Sequence, residues 1–234
     1  MPGFFIHNTD FLGWEMEQQR AVVKTGRIRQ TNEQLILDAA IKEFSQRGFR
    51  GASMQRIADD AGVPRTNVHY YFKNKEFLYR EVLTHIVEMW NTGFDQIQAD
   101  DDPAVALAGY IHAKLHYSKV EPQLSKIFAN EIIHGAPHLA EYLHSQQRLW
   151  LQDKAATIQQ WIDRGLMDAV DPMQLIFMIW SVTQHYADFS VQVCAAMEKE
   201  QLLDEDFDNI YKTVSHIILK GCGLTPPASI ENRA

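Results

Sequence analysis

Ser53-Met-Gln-Arg-Ile-Ala-Asp-Asp-Ala-Gly-Val-Pro-Arg-Thr-Asn-Val-His-Tyr-Tyr71 is the run from which the rest of the chain is read. Ile57, Ala58 and Ala61 fall at helical spacing, Ser53 stands as an N-cap, and Gly62 sits where the chain must turn. Pro64 opens a second short helix at its first position, where a missing N–H costs nothing. Ala58 and Gly62 are small where the two helices approach. Two helices joined by a tight glycine turn form a helix-turn-helix, whose second helix enters the DNA major groove. The seven residues Pro64 to Tyr70 rise roughly 10 Å, which suits a groove about 12 Å wide. Arg65, Thr66, Asn67, His69 and Tyr70 on that helix can all bond base edges or phosphates. Taken alone, the pattern also fits a helical hairpin in some other all-α protein.

The flanking residues narrow the choice. Gly48-Phe-Arg-Gly-Ala-Ser53, Ile57-Ala58, Ala61-Gly-Val63 and above all His69-Tyr-Tyr-Phe-Lys-Asn-Lys-Glu-Phe-Leu78 resemble the DNA-binding domain of the TetR family of repressors. In that family the Tyr-Tyr-Phe-Lys-x-Lys-Glu-x-Leu run closes the recognition helix and opens the helix that links DNA to ligand. The match covers roughly Thr31 to Val82 without a gap. It implies double-stranded operator DNA as partner. The candidate contacts are Ser53, Gln55, Arg65, Thr66, Asn67, His69, Tyr70, Tyr71, Lys73 and Lys75.

Charge is distributed in the same sense. The whole chain carries −8, which by itself argues against a polyanion as partner. Between Arg20 and Arg80, however, 12 Lys and Arg stand against 6 Asp and Glu, leaving 10 basic and 24 acidic residues elsewhere. A basic end on an acidic body orients the molecule in the field of DNA.

Helix signals recur along the rest of the chain, with neither a repeat nor a strand pattern, and the fold class is all-α. Residues 1–19 show no clear period, and Met16 is an alternative start that would leave 1–15 outside the native protein. Arg20, Lys24, Arg27 and Arg29 form a basic arm suited to phosphates, the minor groove or mere solubility. Thr31-Asn-Glu-Gln34 reads as a capping box for a helix that places Leu35, Ile36, Ala39, Ala40 and Phe44 on one face and ends at Gly48. With Ile57, Val68 and Phe72 that face makes the core of a three-helix domain. From Asn74 a long helix runs to about Phe94, with Phe77, Leu78, Val82, Ile86, Met89 and Trp90 inward. Asp102-Pro103, Glu121-Pro122 and Asp171-Pro172 open further helices, the last reaching about Met197. Another follows the Gly135-Ala-Pro137 break and closes at Gly165, and Asp206 to Lys220 forms the final one. The expected division is a flexible basic arm over 1–30, a helix-turn-helix domain over 31–76, a helical ligand-binding and dimerisation domain over 77–222, and a flexible tail over 223–234.

Met173 to Val193 is apolar nearly all round as far as Trp180, which demands burial in the body or in an interface. Phe177, Trp180 and Gln184 share one stripe. Gln184 offers a donor and an acceptor side by side, the complement of a planar amide or nucleobase edge, and Trp180 can cover the ring. The plain alternative makes Phe177 and Trp180 core residues and pairs His185 with Asp188. Ile176-Phe-Met-Ile-Trp-x-x-Thr-Gln-His-Tyr-Ala-Asp-Phe189 is also similar to the ligand domain of the RutR-type pyrimidine-utilisation regulators within the same family. So are Lys114-Leu115-x-x-Ser118, Pro122-Gln-x-Ser-x-Ile-Phe128 and Gly135-Ala-Pro137. That resemblance implies a small planar ligand, uracil or a related pyrimidine, control of pyrimidine-breakdown genes, and a pocket at Trp90, Trp180 and Gln184. Phe177, His185 and Tyr186 are further candidates. His116, Asn130 and His134 are polar additions expected near that pocket, and a sensor for another small molecule, such as a multidrug repressor, is the alternative function.

The last two helices, with Ile210, Val214, Ile217, Ile218 and Leu219, carry more apolar surface than one body needs, and a homodimer through them is expected. His134 and His138 flank a Gly-Ala-Pro break that denies them zinc-binding helical spacing. No nucleophile elbow, phosphate-binding glycine loop or Cys-x-x-Cys occurs, so neither an enzyme, a metal nor a cofactor is expected. Two cysteines, no signal peptide and no spanning apolar run point to a cytoplasmic protein away from the membrane.

Overall fold

The computed structural model describes the backbone of residues 10–227 and the side chains of residues 31–227; the side chains of the basic arm with Arg20, Lys24, Arg27 and Arg29, and the chain before 10 and from 228 onward, lie outside the described residues. The described residues are helical, with no strand among them. They divide between Leu78 and Tyr79 into two units.

The first unit holds α1 (Asp10–Gly51), α2 (Met54–Ala61), α3 (Arg65–Phe72) and the first turn of α4 (Lys75–Asp95). Thr31 lies within α1 and not at its N-cap, so the capping box does not start this helix. The helical backbone does break at Gly48, where φ is 64° and ψ 174°. Ile36, Ala39, Ala40 and Phe44 are buried with Ile57, Val68 and Phe72, whereas Leu35 faces solvent. Phe77, expected inward, is also exposed.

Ser53 caps α2, its hydroxyl accepting from the Gln55 N–H at 3.3 Å. Gly62 closes it in the left-handed conformation (φ 66°), its N–H returning to the carbonyls of Ala58 and Asp59. A Cβ at Gly62 would meet no atom within 4 Å, so the dihedral, and not close helix approach, calls for glycine. Ala58, by contrast, is fully buried. Pro64 is the N-cap of α3, one position earlier than the pattern indicates, and its carbonyl accepts from Asn67 N–H at 2.8 Å.

The second unit is built from the rest of α4, α5 (Pro103–Val120), α6 (Pro122–Ile133), a single turn α7 (Ala140–Tyr142) running into a π-helical turn (Leu143–Gln147), α8 (Arg148–Asp163), α9 (Pro172–Asp188), α10 (Ser190–Ala196) and α11 (Asp204–Gly221). The Asp-Pro signals mark true starts. Asp102 Oδ1 accepts from Ala104 and Val105 N–H at 2.9 and 3.0 Å, and Asp171 Oδ1 from Met173 and Gln174 N–H at 2.9 and 3.0 Å. The expected Asp171–Met197 helix is interrupted: Phe189 (φ −111°, ψ 26°) leaves helical space and separates α9 from α10.

Phe94, Leu107, Ile111, Ile158, Trp161, Ile176, Ile179 and Leu219 make the core of this unit. Trp161 is fully buried and its indole N–H donates to the Ala99 carbonyl at 3.0 Å. Ile210, Val214, Ile218 and Leu219 are consumed by this core, so on α11 Ile217 alone of the five expected apolar residues is exposed. Leu224 is still packed, its N–H bonded to Leu219, within the stretch assigned to a tail.

Candidate nucleic-acid interface and ligand cavity

In the first unit α3 turns its polar residues outward. Arg65, Thr66, His69 and Lys73 are exposed, Tyr70 is 74% exposed, and Asn67 and Tyr71 are half-buried. A tyrosine that open, standing edge-on to Tyr71 at 5.2 Å, gains nothing from the core and is available to a partner. The helix closes through Lys73, whose φ of 48° leaves its N–H on the His69 carbonyl at 3.0 Å while His69 Nδ1 faces the Lys73 carbonyl at 3.0 Å. Ser53 and Gln55 lie at the amino end of α2, whose positive dipole end suits a phosphate.

Lys75 departs from the expected contact set. Its ammonium donates to the Ala52 carbonyl at 3.0 Å and reaches the Arg50 carbonyl at 3.5 Å, and it lies 4.8 Å from the Phe49 ring centre. A cation so engaged secures the start of α4 to the end of α1 and is drawn away from phosphates.

Glu43 stiffens the same unit. This buried carboxylate accepts from Ser53 N–H at 3.0 Å and Arg56 Nε at 2.7 Å, with Arg47 Nε at 3.3 Å. Burial works to raise its pKa, but the Arg56 and Ser53 bonds and the charges of Arg56 and Arg47 prevail and hold it below the ordinary value. It fixes the α1–α2 junction that presents Ser53.

In the second unit a cleft of about 370 Å³, counted out to its mouth, lies among α4, α5, α6, α9 and the π-helical turn. Trp90, Trp180 and Gln184 line it together. Trp90 meets Phe128 edge-on at 5.0 Å, Trp180 stacks on Trp150 at 6.3 Å, and the Trp180 indole N–H donates to Tyr110 Oη at 2.6 Å. Burial raises the Tyr110 phenol, against the lowering effect of that bond and with a further push from Asp95, so it stays neutral. The π-helical turn sets Tyr142 and Gln147, five residues apart, on the same cavity; in an α-helix that spacing would point them apart.

Phe177, His185 and Tyr186 do not join them. Phe177 is 41% exposed, one position off the cavity-facing stripe. His185 points outward and stacks on Phe189 at 5.1 Å, while Asp188 accepts from Ser125 Oγ at 2.5 Å and not from His185. Tyr186 packs on the core and borders a separate open groove. His116, Asn130 and His134 are all exposed, so none adds polarity to the cavity. His138 instead faces the buried Glu131 carboxylate, Nδ1 at 3.2 Å from Oε2.

Lys114 is the lining residue that pattern reasoning passed over, together with Asn91, Tyr110, Tyr142 and Gln147. A signal existed for it. Leu107, Tyr110, Ile111, Lys114, Leu115 and Ser118 recur at helical spacing, and all are buried, so the lysine stands in register with the core.

Family comparisons agree with this division. Residues 36–82 match the model for bacterial regulatory proteins of the tetR family, and residues 83–225 that for the C-terminal region of YcdC-like proteins. The HTH-type transcriptional regulator RutR of Escherichia coli (strain K12) is 41% identical over 207 residues, 87% of this chain and 97% of RutR. The transcriptional repressor NicS of Pseudomonas putida is 31% identical over 124 residues, 53% of this chain and 58% of NicS. Among solved structures, AibR in complex with isovaleryl coenzyme A and operator DNA overlays with a TM-score of 0.63 at 16% identity, over 84% of this chain and 99% of that one. The ketosteroid regulator KstR2 of Mycobacterium tuberculosis gives 0.62 at 18% identity, over 81% and 94%. Among the described residues no helix is long and apolar enough to cross a membrane. Regulators of this kind bind operator DNA, often as homodimers with small-molecule ligands. This chain belongs to the TetR family and is a DNA-binding transcriptional regulator, not an enzyme.

Proposed function

We propose that the chain is an operator-binding repressor that senses a small pyrimidine, such as uracil or thymine, and controls genes of pyrimidine breakdown. The observation that carries this is the convergence of Trp90, Trp180 and Gln184 on one cavity. Aromatic faces cover a planar ring, and the Gln184 amide pairs with a donor–acceptor edge. The relationship to RutR over nearly its whole length supports the ligand class.

The device is carried by α4. Its first residues, Lys75 to Leu78, belong to the DNA-binding unit, and Trp90 lies four turns on. A ligand that draws Trp90 toward Gln184 shifts α4 and with it the separation of two recognition helices. Half-sites about 34–36 Å apart tolerate little change in that separation. The ligand releases DNA only by the margin with which it prefers the shifted state.

Two copies meet through α9 and α11. The exposed Phe177 and Met178 on α9 and Ile217 on α11 supply the apolar contacts, which gives Phe177 a dimer role in place of a ligand role.

A thermal-shift panel of uracil, thymine, dihydrouracil, cytosine and several bulky drugs tests the ligand. At a hundred times its dissociation constant a binder adds about 2.7 kcal/mol to stability. A rise with uracil or thymine, followed by release of operator DNA in an anisotropy titration, is the expected result. No response to any pyrimidine removes this ligand class and leaves the DNA-binding function in place.

A further inference from the structure

Lys114 is 3% exposed, and its ammonium lies 4.0 Å from the centre of the Trp90 ring on the wall of the cavity. Among the described residues it makes no hydrogen bond and no ion pair; the Trp90 face is its one close partner. Asp188 acts on it through its charge but does not pair with it, its carboxylate being taken by Ser125. Buried ammonium groups are costly unless paired, and three donors directed into a cleft call for acceptors. Gln184 on α9 stands on the same cleft with its own donor and acceptor, and Trp90 and Trp180 provide the flat walls.

We infer that Lys114 is a ligand-selecting cation, and that the cavity takes a small planar ring bearing an oxygen that accepts a hydrogen bond from its Nζ, whether carbonyl or carboxylate, while excluding cations. This rests on the cavity being the ligand site, as proposed above, and not on the ligand being a pyrimidine. The chemistry is that of electrostatic complementarity: a fixed positive charge in a desolvated wall attracts an oxygen-rich edge and repels an ammonium. It therefore separates this chain from sensors of cationic drugs.

Burial pushes the Lys114 ammonium down to about 7, with Asp188 opposing, so the group is poised to take up a proton as an oxygen approaches. The other titratable groups toward it are Tyr110 on its own helix, Tyr142 at the end of α7 and Asp188 on α9; α4 and α6 contribute only Val87, Trp90, Asn91 and Phe128 to the cavity. Burial raises both tyrosines, so neither ionises near neutrality.

Benzoate, benzamide and benzylamine share one ring and differ in charge, and their binding to the full chain by calorimetry at pH 6.5 tests the inference. The wild type is expected to bind benzoate at least tenfold more tightly than benzamide, and benzylamine not at all. Lys114→Met should bring benzoate and benzamide within threefold of each other, and Lys114→Arg should keep the order. Lys114→Met removes a charge that is buried and unpaired, so it is expected to fold, and its melting curve checks this. Equal binding of the three compounds, binding of none, or the wild-type order surviving in Lys114→Met would overturn the inference. Uracil titrated alongside tests the pyrimidine proposal separately. Its failure with the benzoate order intact removes the pyrimidine and leaves Lys114 in its role.

Discussion

The recognition surface of the first unit and the cavity wall of the second handle positive charge in opposite ways. In the first, Arg65 and Lys73 are exposed and the Lys75 ammonium is held by two backbone carbonyls. In the second, Lys114 lies against the Trp90 ring on the cavity wall with no hydrogen bond and no ion pair among the described residues. Solvated charge costs little and acts at long range, which suits capture of a polyanion. Desolvated charge is expensive and acts only on what enters, which suits discrimination among small molecules. A helix surface is enough for the first task, and the second requires a closed wall.

The sharpest break of this contrast is Arg65→Ala. It should weaken operator binding by roughly ten- to a hundredfold, the 1–3 kcal/mol typical of a base contact, with ligand affinity unchanged. Fluorescence anisotropy at fixed salt reads the first and calorimetry the second. Glu43→Ala removes the carboxylate that joins Ser53 and Arg56 and should cost about 2 kcal/mol of stability, seen as a lower melting temperature. Because the folded pKa of Glu43 is depressed, its contribution is present above the ordinary 4.5 and lost as the pH falls through the folded value. The variant should accordingly lose part of the wild type's destabilisation by acid.

Gln184→Ala should abolish release of DNA by ligand and raise the dissociation constant roughly tenfold, the worth of about 1.4 kcal/mol of bonding, with operator affinity near normal. Full response in that variant would place the pocket elsewhere. Lys75→Ala should act chiefly on stability, by about 1 kcal/mol for the lost carbonyl bonds, and only through that on DNA. A variant with unaltered melting and weakened operator binding would return Lys75 to the phosphate contacts.

The smallest effect concerns pH. The folded Lys114 releases its proton near 7 whereas the unfolded chain keeps it to the ordinary 10.5. Between these values the unfolded state binds more protons, so the Lys114 contribution to stability grows as pH rises above about 7. A ligand that needs the ammonium should bind more weakly over the same interval, and a pH series of melting curves with and without benzoate shows both trends. Lys114→Met should flatten each.

Much of this molecule was legible in its residues because helix starts, glycine turns and core stripes are local chemistry. Ser53, Gly62, Asp102-Pro103 and Asp171-Pro172 act where they stand, through their own hydroxyl, dihedral or carboxylate. The family motifs then led to Trp90, Trp180 and Gln184, three residues that tertiary structure does bring to one cavity. Periodicity states which residues share a helix face but not what that face meets. Phe177 and His185 lie within a turn of Trp180 and Gln184, yet their rotation about α9, about 60° from Trp180 and about 100° from Gln184, puts them on the outside. Tyr142 and Gln147 reach the cavity only because the backbone there widens into a π-helical turn, which no residue pattern announced. Whether a lysine is solvated, bonded to carbonyls or stranded against a tryptophan depends on the neighbours that folding supplies from distant parts of the chain. For Lys75 and Lys114 that was decided by packing alone.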